Sequence, residues 1–254
     1  MAGSAPEDCV YIDLSGASSG IGEATAIKLA EHGARLFLVA LEEDKLQIVQ
    51  QKCKEKGLVE EKIGYCSGDL SQSAVREEIV KNLIQKFGRL DILADIAGSV
   101  LFANVCETKE EDYDRFVRVN QKAKFFLAQL CLPYLKQTKG NIIYMSSIDS
   151  TMPQPEVVVY CMAKVAIDML TKCLAKGRLV DRRNVNTSRT CPFHLAICSG
   201  RRFEWIVHFY VLKFCIHMLS VYLDGIEPTS LWFLLHGEPS KPKAKLMPSF
   251  SVKL

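Results

Sequence analysis

Tyr160 and Lys164 are the residues of this sequence whose spacing first indicates a chemical reaction. They occur in the stretch Y-C-M-A-K, so a helix would place both side chains on one face. An isolated phenol has a pKa of about 10, and a nearby lysine cation stabilises the phenolate and lowers that pKa. Such a pair can exchange a proton with an alcohol or a carbonyl oxygen. By itself, the spacing also fits an aromatic residue on a helix beside a solvated lysine.

Ser147 is the next candidate, because it follows an apolar stretch that predicts a strand and precedes the helix of Tyr160. Its hydroxyl can donate a hydrogen bond to a substrate oxygen. A serine after a strand is also typical of a cap on a turn or a helix. The position of Ser147 alone therefore leaves both roles open.

A glycine-rich stretch, S-G-A-S-S-G-I-G at Ser15–Gly22, lies between an apolar run at Val10–Leu14 and a helical pattern. Gly16 allows a tight turn with positive φ, while Gly20 and Gly22 allow the backbone to come close to a ligand. The first N–H groups of the following helix could then bind a pyrophosphate. The spacing differs from the usual G-x-G-x-x-G, so a turn without a ligand is the alternative.

The composition excludes several classes of protein. Among the 254 residues 48% are hydrophobic and 24% are charged, and the formal net charge is +3. This charge does not indicate nucleic-acid binding, and the polar, acidic N-terminus lacks the apolar core of a secretory signal. The ten cysteines form no C-x-x-C motif and the five histidines complete no zinc spacing. We therefore expect reduced thiols, a cytoplasmic location and no metal.

Apolar runs that predict strands alternate with helical patterns along the chain. After the first strand, further strands are predicted at 34–40, 62–67, 91–96 and 141–145, and helices at 42–56, 71–87, 109–136 and 157–176. Ser71 is predicted to cap the helix at 71–87. Such alternation is typical of a parallel sheet covered on both faces. We predict an α/β fold with a doubly wound, Rossmann-like parallel sheet, whose glycine turn lies where the strand order reverses.

The order and spacing of these motifs resemble the classical short-chain dehydrogenase/reductase family over about Val10–Lys176. The matching residues are the glycine stretch, Asp69-Leu70, Asn120, Ser147, Tyr160 and Lys164. The resemblance implies an NAD(P)-dependent oxidoreductase that moves a hydride between nicotinamide and a small carbonyl or secondary alcohol substrate. A homo-oligomer is compatible with it, although the last elements, which often form the oligomer interface in this family, have no recognisable counterpart in this sequence.

The same resemblance implies a role for each matching residue. Tyr160 would be the general acid/base and Ser147 would hold the reacting oxygen. Lys164 would bind the nicotinamide ribose and lower the tyrosine pKa, and Asn120 would hold a water of the proton relay. The glycine stretch would hold the diphosphate side of the cofactor, and Asp69 with Leu70 its adenine. The implied cofactor-binding residues are Gly16, Ser18, Ser19, Gly20, Ile21, Gly22, Asp69, Leu70, Ala97, Gly98, Tyr160 and Lys164.

The sequence also departs from the pattern of the family. The N-N-A-G motif after the fourth strand reads Asp95-Ile96-Ala97-Gly98, and the P-G motif after the sixth reads Pro192-Phe193. Asp95 places a carboxylate near the centre of the sheet, where an unpaired charge is costly. Asp13 raises the same concern in the first strand. These departures favour the alternative of a non-catalytic or impaired dinucleotide-binding protein of the same fold.

The cofactor preference follows from the end of the second predicted strand. The positions where the family carries an acid or an arginine read Ala40 and Leu41, and the acidic run Glu42-Glu43-Asp44 follows. These carboxylates would repel a 2′-phosphate, which favours NAD over NADP. The alternative is that they form a solvated first turn of a helix, where negative charge suits the helix dipole.

Beyond about Lys176 the resemblance fades. We divide the chain into a Rossmann-like domain at 8–200, an atypical apolar helical segment at 201–236 and a disordered tail at 237–254. The stretch Phe203–Leu223 is long enough to span a bilayer, but it is interrupted by Glu204, His208, Lys213 and His217. We predict a buried helix there, with a membrane anchor as the alternative.

Overall fold

The computed structural model describes residues 10–13, 16–176 and 185–188, with side chains from 16 to 176. Several sequence predictions lie outside these residues. They concern Ser15, the side chain of Asp13, Pro192-Phe193, the apolar segment at 201–236 and the tail at 237–254.

Strands and helices alternate through the described residues. The strands are β1 (Val10–Asp13), β2 (Arg35–Ala40), β3 (Ile63–Ser67), β4 (Ile92–Asp95), β5 (Asn141–Met145) and β6 (Val185–Ser188). The α-helices are α1 (Gly20–Glu31), α2 (Glu43–Glu55), α3 (Ser73–Phe87), α4 (Glu110–Val117), α5 (Ala123–Thr138) and α6 (Val158–Lys176). A π-helical turn, Arg118–Lys122, joins α4 to α5, and 3-10 turns form at Glu60–Lys62 and Ile148–Ser150. The strands and helices predicted between 10 and 176 are confirmed, with ends that shift by a few residues.

All strand pairs of the sheet are parallel, in the order β3-β2-β1-β4-β5-β6. Because β1 lies between β2 and β4, the chain runs outward in one direction from β1 and then returns to continue in the other. The carboxyl ends of β1 and β4 therefore border the crevice where such sheets bind ligands. The predicted doubly wound sheet and its reversal at the glycine turn are confirmed.

Alternate side chains of the strands enter two separate apolar layers. Leu36 and Leu38 of β2 pack in the layer that contains residues of α1 and α2. Phe37 and Val39 of the same strand pack in the layer that contains residues of α3, α5 and α6. This alternation follows from the pleat of a strand, and it buries both faces of the sheet.

The start of α3 differs from the prediction. The cap position is Gln72 and the helix begins at Ser73. The N–H and hydroxyl of Ser71 instead donate to the two carboxylate oxygens of Asp69, each at 2.8 Å. The predicted cap at Ser71 is wrong because this local turn already takes up the polar groups of the serine.

A buried ion pair resolves the concern about Asp95. The Lys124 ammonium of α5 contacts the Asp95 carboxylate at the end of β4, and both side chains are 2% exposed. The charge near the centre of the sheet is therefore paired, which the sequence prediction missed. The pair joins the strand that leads to Gly98 with the helix that follows Asn120.

Two neutral groups are also affected by the Asp95 carboxylate. Burial, and then the negative charge of Asp95, raise the pKa of the Tyr144 phenol well above its usual value. The pKa of the Cys131 thiol is raised for the same reasons. The Tyr144 hydroxyl is buried without a hydrogen-bond partner among the described residues. The positive charge of Lys124 compensates the negative charge of Asp95 in this apolar layer.

Replacing Lys124 by methionine should leave a buried carboxylate without its cation. We expect Lys124→Met to lower the free energy of unfolding in urea by about 3 to 5 kcal/mol. The double variant Asp95→Asn/Lys124→Met should lose less, because no charge remains buried. Lys136→Met, at an exposed position of α5, is the control and should change stability by no more than about 0.5 kcal/mol. Equal losses for Lys124→Met and Lys136→Met would contradict this assignment.

Candidate active site

The candidate site lies at the carboxyl ends of three neighbouring strands. The glycine turn follows β1, Ala97 and Gly98 follow β4, and Ser147 follows β5. Helix α6 contributes Tyr160 and Lys164 to the same edge, since the Lys164 Nζ donates to the carbonyl of Met145 at 2.8 Å. The fold therefore places residues from distant parts of the sequence side by side.

The glycine turn takes the conformation that only glycine adopts readily. Gly16 has φ of 53° and Gly20 has φ of 59°. The N–H of Ser19 donates to the carbonyl of Gly16 at 2.8 Å and closes the turn. A Cβ on Gly20 would meet nothing within 4 Å. Gly20 is thus required for its backbone angle, and the space beside it stays open.

The N-terminus of α1 fits the diphosphate of a dinucleotide. Helix α1 begins at Gly20, and the cap residue Ser19 makes no side-chain hydrogen bond to it. The N–H groups of Gly20, Ile21 and Gly22 precede the first intrahelical bond, so they point out of the helix end with its positive dipole. An anion placed there would be bound by backbone groups that no side chain caps.

Ser18 connects the glycine turn to the acidic run after β2. Its hydroxyl donates to a Glu42 carboxylate oxygen at 3.3 Å. The Lys45 ammonium lies 2.7 Å from the other oxygen and is the main cause of the lowered Glu42 pKa. The carboxylate of Glu42 therefore stands ionised beside the turn. Glu43 turns away and accepts from Tyr65 and Ser67 at 3.4 Å each.

Asp69 and Leu70 follow β3 and make local contacts. The hydrogen bond from the Ser71 backbone is the main cause of the lowered Asp69 pKa. The Leu70 carbonyl accepts from the Arg76 guanidinium at 2.6 Å. These contacts fix the loop, and the adenine contacts of both residues stay predictions.

Asn120 is buried in the π-helical turn and holds the loop after β4. Its Oδ1 accepts from the Ser99 N–H at 3.2 Å, and its Nδ2 donates to the Ser99 hydroxyl at 3.2 Å. Nδ2 also donates to the Phe116 carbonyl at 3.1 Å. The role of Asn120 with a water molecule stays a prediction.

Gly98 lies between Asn120 and Lys164. A Cβ at this position would be 3.0 Å from the Asn120 Oδ1 and 3.6 Å from the Lys164 Nζ. The two polar side chains thus approach the same point of the loop. This convergence shows that the structure brings Asn120, Gly98 and Lys164 together.

Tyr160 is 6% exposed and packs edge-on against Phe116, with ring centroids 6.4 Å apart. The Lys164 ammonium lies 5.3 Å from the centroid of the Tyr160 ring. One helical turn separates them, as their spacing predicts. The geometry holds a cation next to a phenol, which is the arrangement that can stabilise a phenolate.

Ser147 takes the capping role that the sequence left open, and its role toward a substrate oxygen stays a prediction. It is fully buried and caps the 3-10 turn Ile148–Ser150, because its Oγ accepts from the Asp149 N–H at 3.2 Å. Its hydroxyl donates to the Asp149 carboxylate at 2.9 Å. The contribution of Asp149 was missed, and only the pattern S-S-I-D could have suggested it.

The described residues contain neither a cluster of metal-binding side chains nor a helix that could span a membrane. No group of three or more histidine, cysteine, aspartate or glutamate residues in that part of the chain could hold a metal ion. Within the same residues, no helix has both the length and the apolarity that crossing a bilayer requires.

Comparison with known proteins identifies the family. The sequence model of the short chain dehydrogenases matches residues 11–196. An uncharacterized oxidoreductase of Thermotoga maritima is 36% identical over 180 residues, which cover 70% of this chain and 69% of the relative. The 3-oxoacyl-acyl-carrier-protein reductase FabG of the same organism is 30% identical over 180 residues, covering 70% and 71%.

Solved structures agree with this relationship. An alcohol dehydrogenase from Thermococcus sibiricus, solved with 5-hydroxy-NADP, superposes with a TM-score of 0.63 and 29% identity. The match covers 68% of this chain and 72% of that one. The chain belongs to the short-chain dehydrogenase/reductase family of oxidoreductases.

The contact between Gly98 and Asn120 can be tested by Gly98→Ala. The added Cβ would displace an amide held by its hydrogen bonds to Ser99 and Phe116. We expect the free energy of unfolding to fall by about 1 to 3 kcal/mol, measured in urea. In an Asn120→Ala background the same change should cost less than about 0.5 kcal/mol. An unchanged cost in that background would refute the clash with Asn120.

Proposed function

We propose that the protein is a nicotinamide-dependent oxidoreductase that moves a hydride between NAD(P) and a small carbonyl compound or secondary alcohol. The observation that carries this proposal is the meeting of Asn120, Lys164 and Gly98 beside the ends of β4 and β5, next to an open glycine turn. The reductase and alcohol dehydrogenase names of its relatives support the same class of reaction.

Tyr160 is the residue proposed to move the proton. In the direction of reduction its hydroxyl donates a proton to the carbonyl oxygen, and in the direction of oxidation the phenolate takes one from the alcohol. Lys164 supports the phenolate by its charge, 5.3 Å from the ring centroid. The cofactor, when bound, supplies or accepts the hydride.

Ser147 and Asn120 are proposed to complete the site. Ser147 lies at the end of β5, where its hydroxyl can hold the reacting oxygen. Asn120 fixes the loop at Ser99 and keeps Gly98 close to Lys164. Holding Asn120 and the loop at Gly98 in place before substrate arrives lowers the reorganisation that the reaction requires.

Glu42 supports a preference for NAD over NADP. Its carboxylate accepts from Ser18 of the glycine turn, whereas the carboxylate of Glu43 accepts from Tyr65 and Ser67 of β3. A carboxylate at this point can accept hydrogen bonds from a ribose diol and repels a 2′-phosphate. The predicted preference for NAD thus rests mainly on one residue of the run.

A non-catalytic dinucleotide-binding protein is the second candidate. The observation in its favour is the hydrogen bond from Ser147 to Asp149, which occupies the hydroxyl that a substrate would need. The paired Asp95 no longer argues for this alternative. Cofactor binding without turnover would distinguish it from the enzyme.

The proposed surroundings of the protein follow the sequence predictions. The substrate is a small molecule, and a cytoplasmic location and a homo-oligomer stay predictions. None of the six cysteines within the described residues forms a disulfide. Reduced thiols of this kind fit a reducing compartment.

Tyr160→Phe tests the proposed reaction. The variant keeps the ring and its packing but has no proton to transfer, so turnover should fall by about 10² to 10⁴-fold. Oxidation of NADH is followed with a panel of ethyl acetoacetate, cyclohexanone and 4-nitrobenzaldehyde. Enhancement of NADH fluorescence should show that the variant still binds the cofactor. If a folded wild-type protein enhances the fluorescence of neither NADH nor NADPH, the proposal fails.

Glu42→Arg tests the cofactor preference. The change replaces a repelling carboxylate by a cation that can pair with a 2′-phosphate, so the ratio of the NADH and NADPH dissociation constants should shift toward NADPH by about tenfold or more. Glu43→Gln is the matched control, because Glu43 faces β3, and its ratio should stay near the wild-type value. A preference that is equal in wild type and Glu42→Arg would contradict the role of Glu42.

A further inference from the structure

The carboxylate of Asp149 controls the hydroxyl of Ser147. Both side chains are buried, Ser147 at 0% and Asp149 at 4% exposure. The Ser147 Oγ lies 2.9 Å from the Asp149 Oδ2, and the Asp149 N–H donates back to the same Oγ at 3.2 Å. Ser147 therefore makes two hydrogen bonds with Asp149, which belongs to the 3-10 turn that the serine caps.

The hydrogen count of this contact determines what Ser147 can offer. A serine hydroxyl has one proton and two lone pairs. The Ser147 hydroxyl donates its proton to a hydrogen bond with the Asp149 Oδ2, and one of its lone pairs receives the Asp149 N–H. A single lone pair remains for a third partner. In this arrangement Ser147 can accept from an alcohol O–H, but it has no proton for a carbonyl oxygen.

Hydrogen bonds to α6 hold the backbone on both sides of Ser147. The next hydroxyl, that of Ser150, donates to the Asp168 carboxylate of α6 at 2.8 Å. This bond ties the 3-10 turn Ile148–Ser150 to the helix that carries Tyr160 and Lys164. On the preceding strand, the Met145 carbonyl accepts from Lys164 at 2.8 Å. The backbone on both sides of Ser147 is thus anchored to α6.

We propose that Asp149 is a positioning residue that restrains carbonyl reduction by retaining the proton of Ser147. This inference rests on the proposed function, because it concerns the serine that would hold the reacting oxygen. It adds a residue that neither the motif pattern nor the proposed mechanism includes.

The restraint acts on the charge that develops during the reaction. As the hydride reaches the carbonyl carbon, negative charge grows on the oxygen until Tyr160 protonates it. To donate to that oxygen, Ser147 must leave its bond to the Asp149 carboxylate. The carboxylate also stays close to the oxygen that becomes negative. Both effects raise the barrier relative to a site without this carboxylate.

Asp149→Ala and Asp149→Asn test this inference with the same three-carbonyl panel and NADH. Alanine removes the acceptor of the Ser147 hydroxyl, so the hydroxyl is available to a substrate. Asparagine removes the negative charge and keeps the shape of the side chain. We expect both to raise kcat/KM, alanine by about tenfold or more, because a bond to a charged group no longer competes. A purely structural role would instead lower kcat/KM. Dissociation constants for NADH should be unchanged in both variants.

Two controls separate action through Ser147 from other effects. In a Ser147→Ala background, Asp149→Ala should leave kcat/KM unchanged within about twofold, since no serine proton remains to be released. Asp168→Asn removes a comparably buried carboxylate that binds Ser150 and not Ser147. It should lower thermal stability without raising kcat/KM.

The outcomes are distinct from those of the proposed function. Tyr160-dependent turnover in the wild type, without a rise on changing Asp149, overturns this inference alone. A rise that persists without Ser147 overturns it as well. Turnover that appears only in the Asp149 variants supports both proposals. Absence of turnover in wild type and in every Asp149 variant overturns both.

Discussion

The buried contact between Asp95 and Lys124 joins the parts of the molecule on which the site depends. Asp95 ends β4, which leads directly to Gly98, and Lys124 lies just after the turn that contains Asn120. Losing either charge would leave the other in an apolar layer, where its desolvation is not compensated. The pair therefore links the loop at Gly98 to the helix that orients Asn120. Sheet stability and site geometry are coupled here.

The polar side chains of the site also hold the backbone in place. Asn120 binds the loop at Ser99, Lys164 binds the carbonyl of Met145, and Ser147 caps the turn after β5. Such groups are pre-organised, because packing and hydrogen bonds fix them before any ligand arrives. The same bonds can also oppose the chemistry. The bond from Ser147 to Asp149 keeps the turn in place and at the same time retains the proton that a carbonyl oxygen would need.

Sequence patterns predicted the fold well because burial on both faces requires long apolar strands and periodic helices. Strand β5 was predicted with its observed ends, Asn141–Met145. The cap at Ser71 was wrong because an adjacent carboxylate offered a shorter-range partner than the helix. The sequence analysis treated Asp95 as an unpaired charge because its partner, Lys124 of α5, is far away in the sequence. No periodicity marks a buried lysine as the partner of a particular strand end.

By itself, the sequence determined the doubly wound fold, the glycine turn and the helical spacing of Tyr160 and Lys164, because these depend on local conformation and on the periodicity of burial. Only the tertiary structure decided which groups meet. It paired Asp95 with Lys124, placed Gly98 between Asn120 and Lys164, and set Glu42 beside Ser18. It also formed the hydrogen bond from the Ser147 hydroxyl to the Asp149 carboxylate. The physical reason is that hydrogen bonds and ion pairs depend on distances of a few ångströms, which packing of the whole sheet and its helices fixes.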